Sequence, residues 1–195
     1  MWNLLFEGLQ AHFSQGPDQQ KYEAEKVRVL NKYVNDQTKK CLQIGVNQPY
    51  TNKFGPNFTA IDKFDKRPCI DINCDLLDLP LKDSEFEFIV CNAILEHVQD
   101  PFQACRELQR VAKPGCEIWC EVPFAQPFHP TKKWKYSDGY LLDTFGDPSL
   151  PADENHGGDF WRFTPQGISV ILNEFKPIAF YIAHAGGIGF HGVRK

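Results

Sequence analysis

A chain of 195 residues, 42% apolar and 24% charged, has room for one buried core and reads as one ordinary globular domain over 1–195. Its net charge of −4 supplies no basic surface for nucleic acid or an anionic membrane, and no apolar run approaches the roughly 18 residues of a membrane-spanning helix. The cysteines are odd in number and irregular in spacing, and the first residues lack the basic start of a secretory signal, so reduced thiols and a cytoplasmic setting are expected.

Along the chain, Trp2, Leu5, Phe6, Leu9 and Phe13 form a short apolar stripe within an N-terminal helical segment, 1–37. Pro17 and Asp18 open its clearer helix, in which Ala24, Val27, Leu30 and Val34 fall on one face. Strands are predicted at 41–45, 58–62, 69–74, 86–92 and 116–123. A helix between the last two starts at Asp100-Pro101, buries Phe102, Cys105, Leu108 and Val111, and stops at "KPG". Strands alternating with helices imply a doubly wound, mostly parallel sheet of the α/β class. Its first half is reduced. Twelve residues, two of them proline, separate Gly45 from Phe58, too few for a full helical crossover, and six link the second strand to the third. An extended link of that length reaches ~20 Å, just enough to return beside a short parallel strand. One face there lacks its usual helix, and the apolar N-terminal stripe or a partner subunit is expected to cover it. Cys116 and Cys120 share a strand face with no second pair of metal ligands nearby, so they read as core thiols and no metal is expected. Residues 124–160 shift to Pro, Gly, Asp, His and aromatics and read as a long loop or lid. A helix capped by Thr164 with Pro165 at its first position follows, then a strand in "PIAFYIAHAGG".

In open parallel sheets, ligands settle beyond the carboxyl ends of the strands where their order reverses. The residues at those ends are Gly45, Asp62, Asp75 and Cys91-Asn92. A glycine there lets the backbone approach a ligand closely, and a strand-end acid such as Asp62 can accept both hydroxyls of a ribose. Asp75 can accept from an adenine amino group. The turn "QIGVNQPY" is nevertheless poor in glycine, with Asn47 standing as the residue best able to adopt a left-handed backbone in its place.

The stretch "DINCDLLDLPLKDSEFEFIVCNAILEHVQDPFQACRELQRVAKPGCEIWCEVPF", with "QPFHP" and "GGDFWRFTPQGI" beyond it, resembles the class I S-adenosylmethionine-dependent methyltransferases, in the small-methyltransferase-domain branch. The likeness covers roughly residues 38–185. It implies a Rossmann-like sheet and S-adenosylmethionine as cofactor. Gly45 and Asn47 would hold its methionine part, Asp62 the ribose, and Asp75 with Leu76 the adenine, while Asn92 would line the floor. Members of the family usually carry an acid or Asn where Gln43 stands and a second glycine where Asn47 stands. Methyl transfer from a sulfonium is an in-line displacement in which the protein mainly positions donor and acceptor, with a base needed for an acceptor hydroxyl. His129, after the fifth strand, is the first candidate for base or substrate contact. Asp159 and His156 are expected at the same cleft. His97 is a further candidate, although the outer face of a short helix is the stronger reading for it. Arg162 reads as an ion-pair partner of Asp159, and Trp161 and Phe163 as core or lid anchors.

The function expected is methyl transfer to a small molecule or glycan. Its alternative is a non-catalytic, methyltransferase-like interaction module with a degenerate cofactor loop. An NAD-type oxidoreductase fails for want of a G-x-G-x-x-G leading into a helix. Residues 188–194 leave little for the seventh, antiparallel strand of the family: either a clipped hairpin or an early end. Without that strand the sixth would expose an edge, and a homodimer could form there.

Overall fold

The computed structural model describes residues 17–46, 52–125, 135–137, 140–142, 160–183 and 186–195. After helix α1 (Pro17–Val34) come three short or medium strands, β1 (Cys41–Ile44), β2 (Phe58–Ile61) and β3 (Phe86–Asn92). A 3-10 turn at Leu95–His97 leads into α2 (Pro101–Val111) and then β4 (Ala112–Pro123). Strands β5 (Lys135–Ser137) and β6 (Tyr140–Leu142) pair with each other, antiparallel, outside the main sheet. Helix α3 (Pro165–Ile171), β7 (Phe175–Ala183) and β8 (Gly187–Arg194) close the fold. The main sheet has the order β2-β1-β3-β4-β8-β7. Its first four strands are parallel, and β8 runs antiparallel to both its neighbours.

Local chemistry sets the helix ends. The Asp100 side chain accepts from the Gln103 N–H ahead of Pro101, and Thr164 Oγ1 accepts from the Gly167 N–H ahead of Pro165. The predicted third strand contracts to one parallel bridge, Ile61 to Ile72, flanked by Asp62 N–H on Ile72 O and Ile72 N–H on Ala60 O. "KPG" does not follow the helix as a separate stop, because β4 begins at Ala112, directly after it.

Strand alternation puts Leu42, Ile44 and Ile89 on the face packed by α2 and α3, and Cys41, Phe88 and Val90 on the face packed by α1. That second face is where cover was in question, and α1 supplies it. Its buried stripe is Tyr22, Val29, Leu30 and Tyr33, whereas Val27, expected on that face, is 53% exposed. The difference has a physical cause: Tyr22 and Tyr33 bring more apolar surface than the valine and alanine do, and Tyr33 stacks on Phe88 with ring centroids 4.3 Å apart. In α2, similarly, Phe102 faces solvent and Ala104 joins Cys105, Leu108 and Val111 in the core. Cys116 and Cys120 are buried together in that core. The apolar stripe at residues 2–13 lies outside the described residues.

A seventh strand is present. β8 lies between β4 and β7, paired from Gly187 to Val193 on one side and from Gly187 to Arg194 on the other. Its presence removes the premise on which a homodimer through a bare sixth strand rested. The outer strand is β7, and it carries Lys176, Pro177 and a register break between Pro177 and Ala179, features that discourage strand addition at an edge.

Candidate active site

The chain goes outward from β1 to β2, then returns past β1 to place β3 on its other side. Strand tips diverge at such a reversal, and here they open a cleft of about 450 Å³. Gly45, one residue past β1, stands on its wall with φ 72° and donates its N–H to Ile61 O at 2.8 Å. A side chain is disfavoured in that left-handed conformation, so glycine is needed there.

Asp62 leaves β2 in the same cleft. Its Oδ1 accepts from the N–H groups of Phe64 and Asp65, each at 2.8 Å, which bends the chain away and holds the carboxylate in place. Oδ2 has no partner among the described residues and is available to a ligand. Asp75 faces it from beyond the Ile72 bridge, with Oδ1 accepting from Leu77 N–H at 3.0 Å and Oδ2 2.6 Å from Lys63 Nζ. Burial alone would push the Asp75 carboxyl up, but the Lys63 ammonium and the Leu77 N–H together hold it below its ordinary range. Leu76, buried at its side, gives the cleft an apolar wall.

The remaining wall comes from residues after β3 and from the strap that follows the long 124–160 segment. His97 lines the cleft from the 3-10 turn, about a third exposed, with Nε2 3.8 Å from Oε1 of the buried Glu96. It stands on the cleft side of that short helix. Phe160 completes the wall and donates its N–H to Glu96 O. Trp161 Nε1 donates to Val98 O at 2.9 Å, and Phe163 N–H to Pro123 O, so 160–163 is a strap pinned to both the turn and the end of β4.

Gly45, Asp62, Asp75, Leu76 and His97 are therefore brought to one cleft. Asn92 is not on its wall. It still pairs in the ladder opposite Glu121, and the chain then turns through Ala93, φ 51°, to present Ile94 in its place. Asn47, His129, His156 and Asp159 lie outside the described residues, and with Asp159 the ion pair expected of Arg162. Lys63, Phe64, Ile94 and Phe160 were missed in the sequence. The first two were findable, since they directly follow Asp62.

A sequence family described as a methyltransferase domain matches residues 42–120. The chain is 28% identical over 124 residues to a demethylmenaquinone methyltransferase of Listeria welshimeri, which covers 60% of this chain and 52% of that protein. It thus spans about half the length of the curated relatives it matches. Among solved structures, it resembles an S-adenosylmethionine-dependent methyltransferase of Listeria monocytogenes described as putative, with TM-score 0.59 at 11% identity, covering 88% of this chain and 97% of that one. It also resembles the 1,6-didemethyltoxoflavin-N1-methyltransferase of Burkholderia thailandensis, TM-score 0.55 at 12% identity, covering 87% and 78%. At such identities the two structures speak for the fold alone. The matched stretch, however, supplies every described wall of the cleft except Phe160, and that match and this strand order make the chain similar to the S-adenosylmethionine-dependent methyltransferases.

Proposed function

We propose that this protein transfers a methyl group from S-adenosylmethionine to a small-molecule acceptor, a class that includes sugars. The observation that carries the proposal is the convergence of Gly45, Asp62, Asp75 and Leu76 on one cleft at the strand-order reversal. The residues fit an adenosyl ligand: a positive-φ glycine where the backbone must come close, a carboxylate oxygen without a partner among the described residues for the ribose, and an acid beside an apolar wall for the adenine. When bound, the cofactor supplies the electrophilic methyl group. The chain's own part is to orient and to exclude water. Gly45 sets the backbone approach, Asp62 and Asp75 fix the nucleoside, and the 160–163 strap covers the cleft next to His97. His97, beside the buried Glu96, is the described group able to hold a proton at that wall. His129 remains the first candidate for base or substrate contact on the acceptor side, with Asp159 expected at the same cleft. A small acceptor is favoured by the net charge of −4, which gives a nucleic acid no hold, and by the relatives named for demethylmenaquinone.

Titration with S-adenosylmethionine and S-adenosylhomocysteine tests this directly. Wild-type protein is expected to show a saturable rise in melting temperature with either ligand, since only the native state binds. Asp62→Asn keeps the oxygen that caps Phe64 and Asp65 but loses the charge and one acceptor. It should weaken binding by about tenfold to a hundredfold while the melting temperature of the free protein barely moves. No shift at millimolar ligand would refute the methyltransferase reading.

A further inference from the structure

The bend after β1 keeps one glycine where a nucleotide cradle usually has more, and it replaces the family's acid with Gln43. An acid at that place would face the cofactor's ammonium, and Gln43 does something different. It is 3% exposed and is absent from the cleft wall to which its neighbours Ile44 and Gly45 contribute. Its position in β1 puts it on the α1 side of the sheet with Cys41. There the amide is used at both ends: Nε2 donates to Gly45 O at 3.0 Å, and Oε1 accepts from Phe54 N–H at 3.0 Å. One side chain thus joins the two described ends of the segment that follows β1. A second clamp acts from the other side, where Arg67 donates to Val46 O and to Asp65 Oδ2, and the Asp65 N–H in turn donates to Asp62 Oδ1.

We propose that Gln43 is a positioning residue that staples the glycine-poor cofactor turn from behind, so that hydrogen bonds to Gly45 and Phe54 do the shaping that extra glycines do elsewhere. The inference rests on the methyltransferase reading for its ligand, though not for its geometry. It requires a neutral amide. A carboxylate can accept from Phe54 N–H but has no proton for Gly45 O, and its buried charge would have no cation in return. A Glu is therefore the wrong residue here, contrary to what the family's usual acid suggests.

The test compares wild type, Gln43→Glu and Gln43→Leu at neutral pH, using S-adenosylhomocysteine as the probe and amide exchange in the ligand-free protein. Both variants are expected to bind the probe about tenfold more weakly, the size of effect left by one unsatisfied buried group. Exchange at the Phe54 amide should accelerate in Gln43→Leu and stay slow in Gln43→Glu, a residue-specific rescue that general destabilisation does not produce. Equal or tighter binding by Gln43→Glu would overturn the proposal, because the side chain would then serve the ligand. Unchanged Phe54 exchange in Gln43→Leu would overturn it too. If wild type itself failed to bind the probe, the methyltransferase reading would fall while the exchange comparison still decided the staple.

Discussion

Between β4, β8 and β7 the strands share long antiparallel ladders, Glu117 to Pro123 against one edge of β8 and Phe175 to Ala183 against the other, whereas β1 and β2 meet only from Cys41 to Ile44 and from Phe58 to Ile61. The ladder side carries the Trp119 aromatic cluster, and Tyr33, Phe54, Phe58 and Phe88 form another beneath β1 and β2. Trp119 is fully buried, 5.9 Å from the Tyr22 ring and 5.7 Å from both Tyr181 and His191. The β1–β2 side, which carries the cleft, holds its loops with polar side chains instead: Gln43 on Gly45, Asp62 on Phe64 and Asp65, Asp71 on Ala60 N–H. One side supplies cohesion and the other supplies geometry. Stability and ligand affinity should accordingly be separable by mutation.

The sharpest way to break that division is Trp119→Ala. Emptying a fully buried indole site costs roughly 3–5 kcal/mol, read as a lower urea midpoint. Affinity for S-adenosylhomocysteine, measured well below the new midpoint, should change by less than about twofold, under 0.5 kcal/mol. A large loss of affinity with an unmoved midpoint would erase the distinction between the two sides.

Glu117→Gln probes the same side through charge. The carboxylate lies 3.0 Å from His191 Nε2 and 2.5 Å from Lys32 Nζ, so it ties α1 to β4 and β8. The His191 hydrogen bond first, and Lys32 after it, push the Glu117 carboxyl from its ordinary 4.5 down to about 2 against the upward pull of burial. A lowered folded value means that the stabilisation is whole above about pH 4.5 and is lost as pH falls toward 2. At neutral pH it amounts to something on the order of 3 kcal/mol, an upper bound with the side chain 18% exposed. Glu117→Gln should lose most of this at pH 7 and flatten the acid limb of stability between pH 4.5 and 2. An unchanged acid limb in the variant would remove the ion pairs from the account.

How much of this was legible in the sequence follows the same division. Gly45, Asp62 and Asp75 could be read because a strand, its end and a turn-forming residue are all local signals. The α1 face was misread at Val27, because apolar periodicity undercounts tyrosines that pack by ring stacking, and the stack of Tyr33 on Phe88 is a long-range fact. Residues 188–194 looked too few for the seventh strand. Yet its glycines serve packing: a Cβ on Gly189 would come within 2.8 Å of the Tyr22 ring, so the strand must be bare there for α1 to sit down. The role of Gln43 was hidden for a different reason. Its partners, Gly45 O and Phe54 N–H, are backbone groups, which no side-chain pattern reveals.

The smallest effect should come from Lys63→Ala, on the geometric side. Lys63 Nζ lies 2.6 Å from Asp75 Oδ2, yet the lysine side chain is 51% exposed and the acid 34%, so solvent screens most of the attraction. Asp75 is also held through Oδ1 by Leu77 N–H, so its place does not depend on the lysine. An adenine amino group bound at Oδ2 would share that oxygen with the ammonium, so Lys63 would compete with the ligand for its acceptor capacity. Lys63→Ala should therefore leave the urea midpoint within about 0.5 kcal/mol of wild type and bind S-adenosylhomocysteine equally well or up to about threefold more tightly. A tenfold weakening would mean that the lysine touches the ligand itself, and the assignment of Asp75 Oδ2 to the adenine would have to be withdrawn.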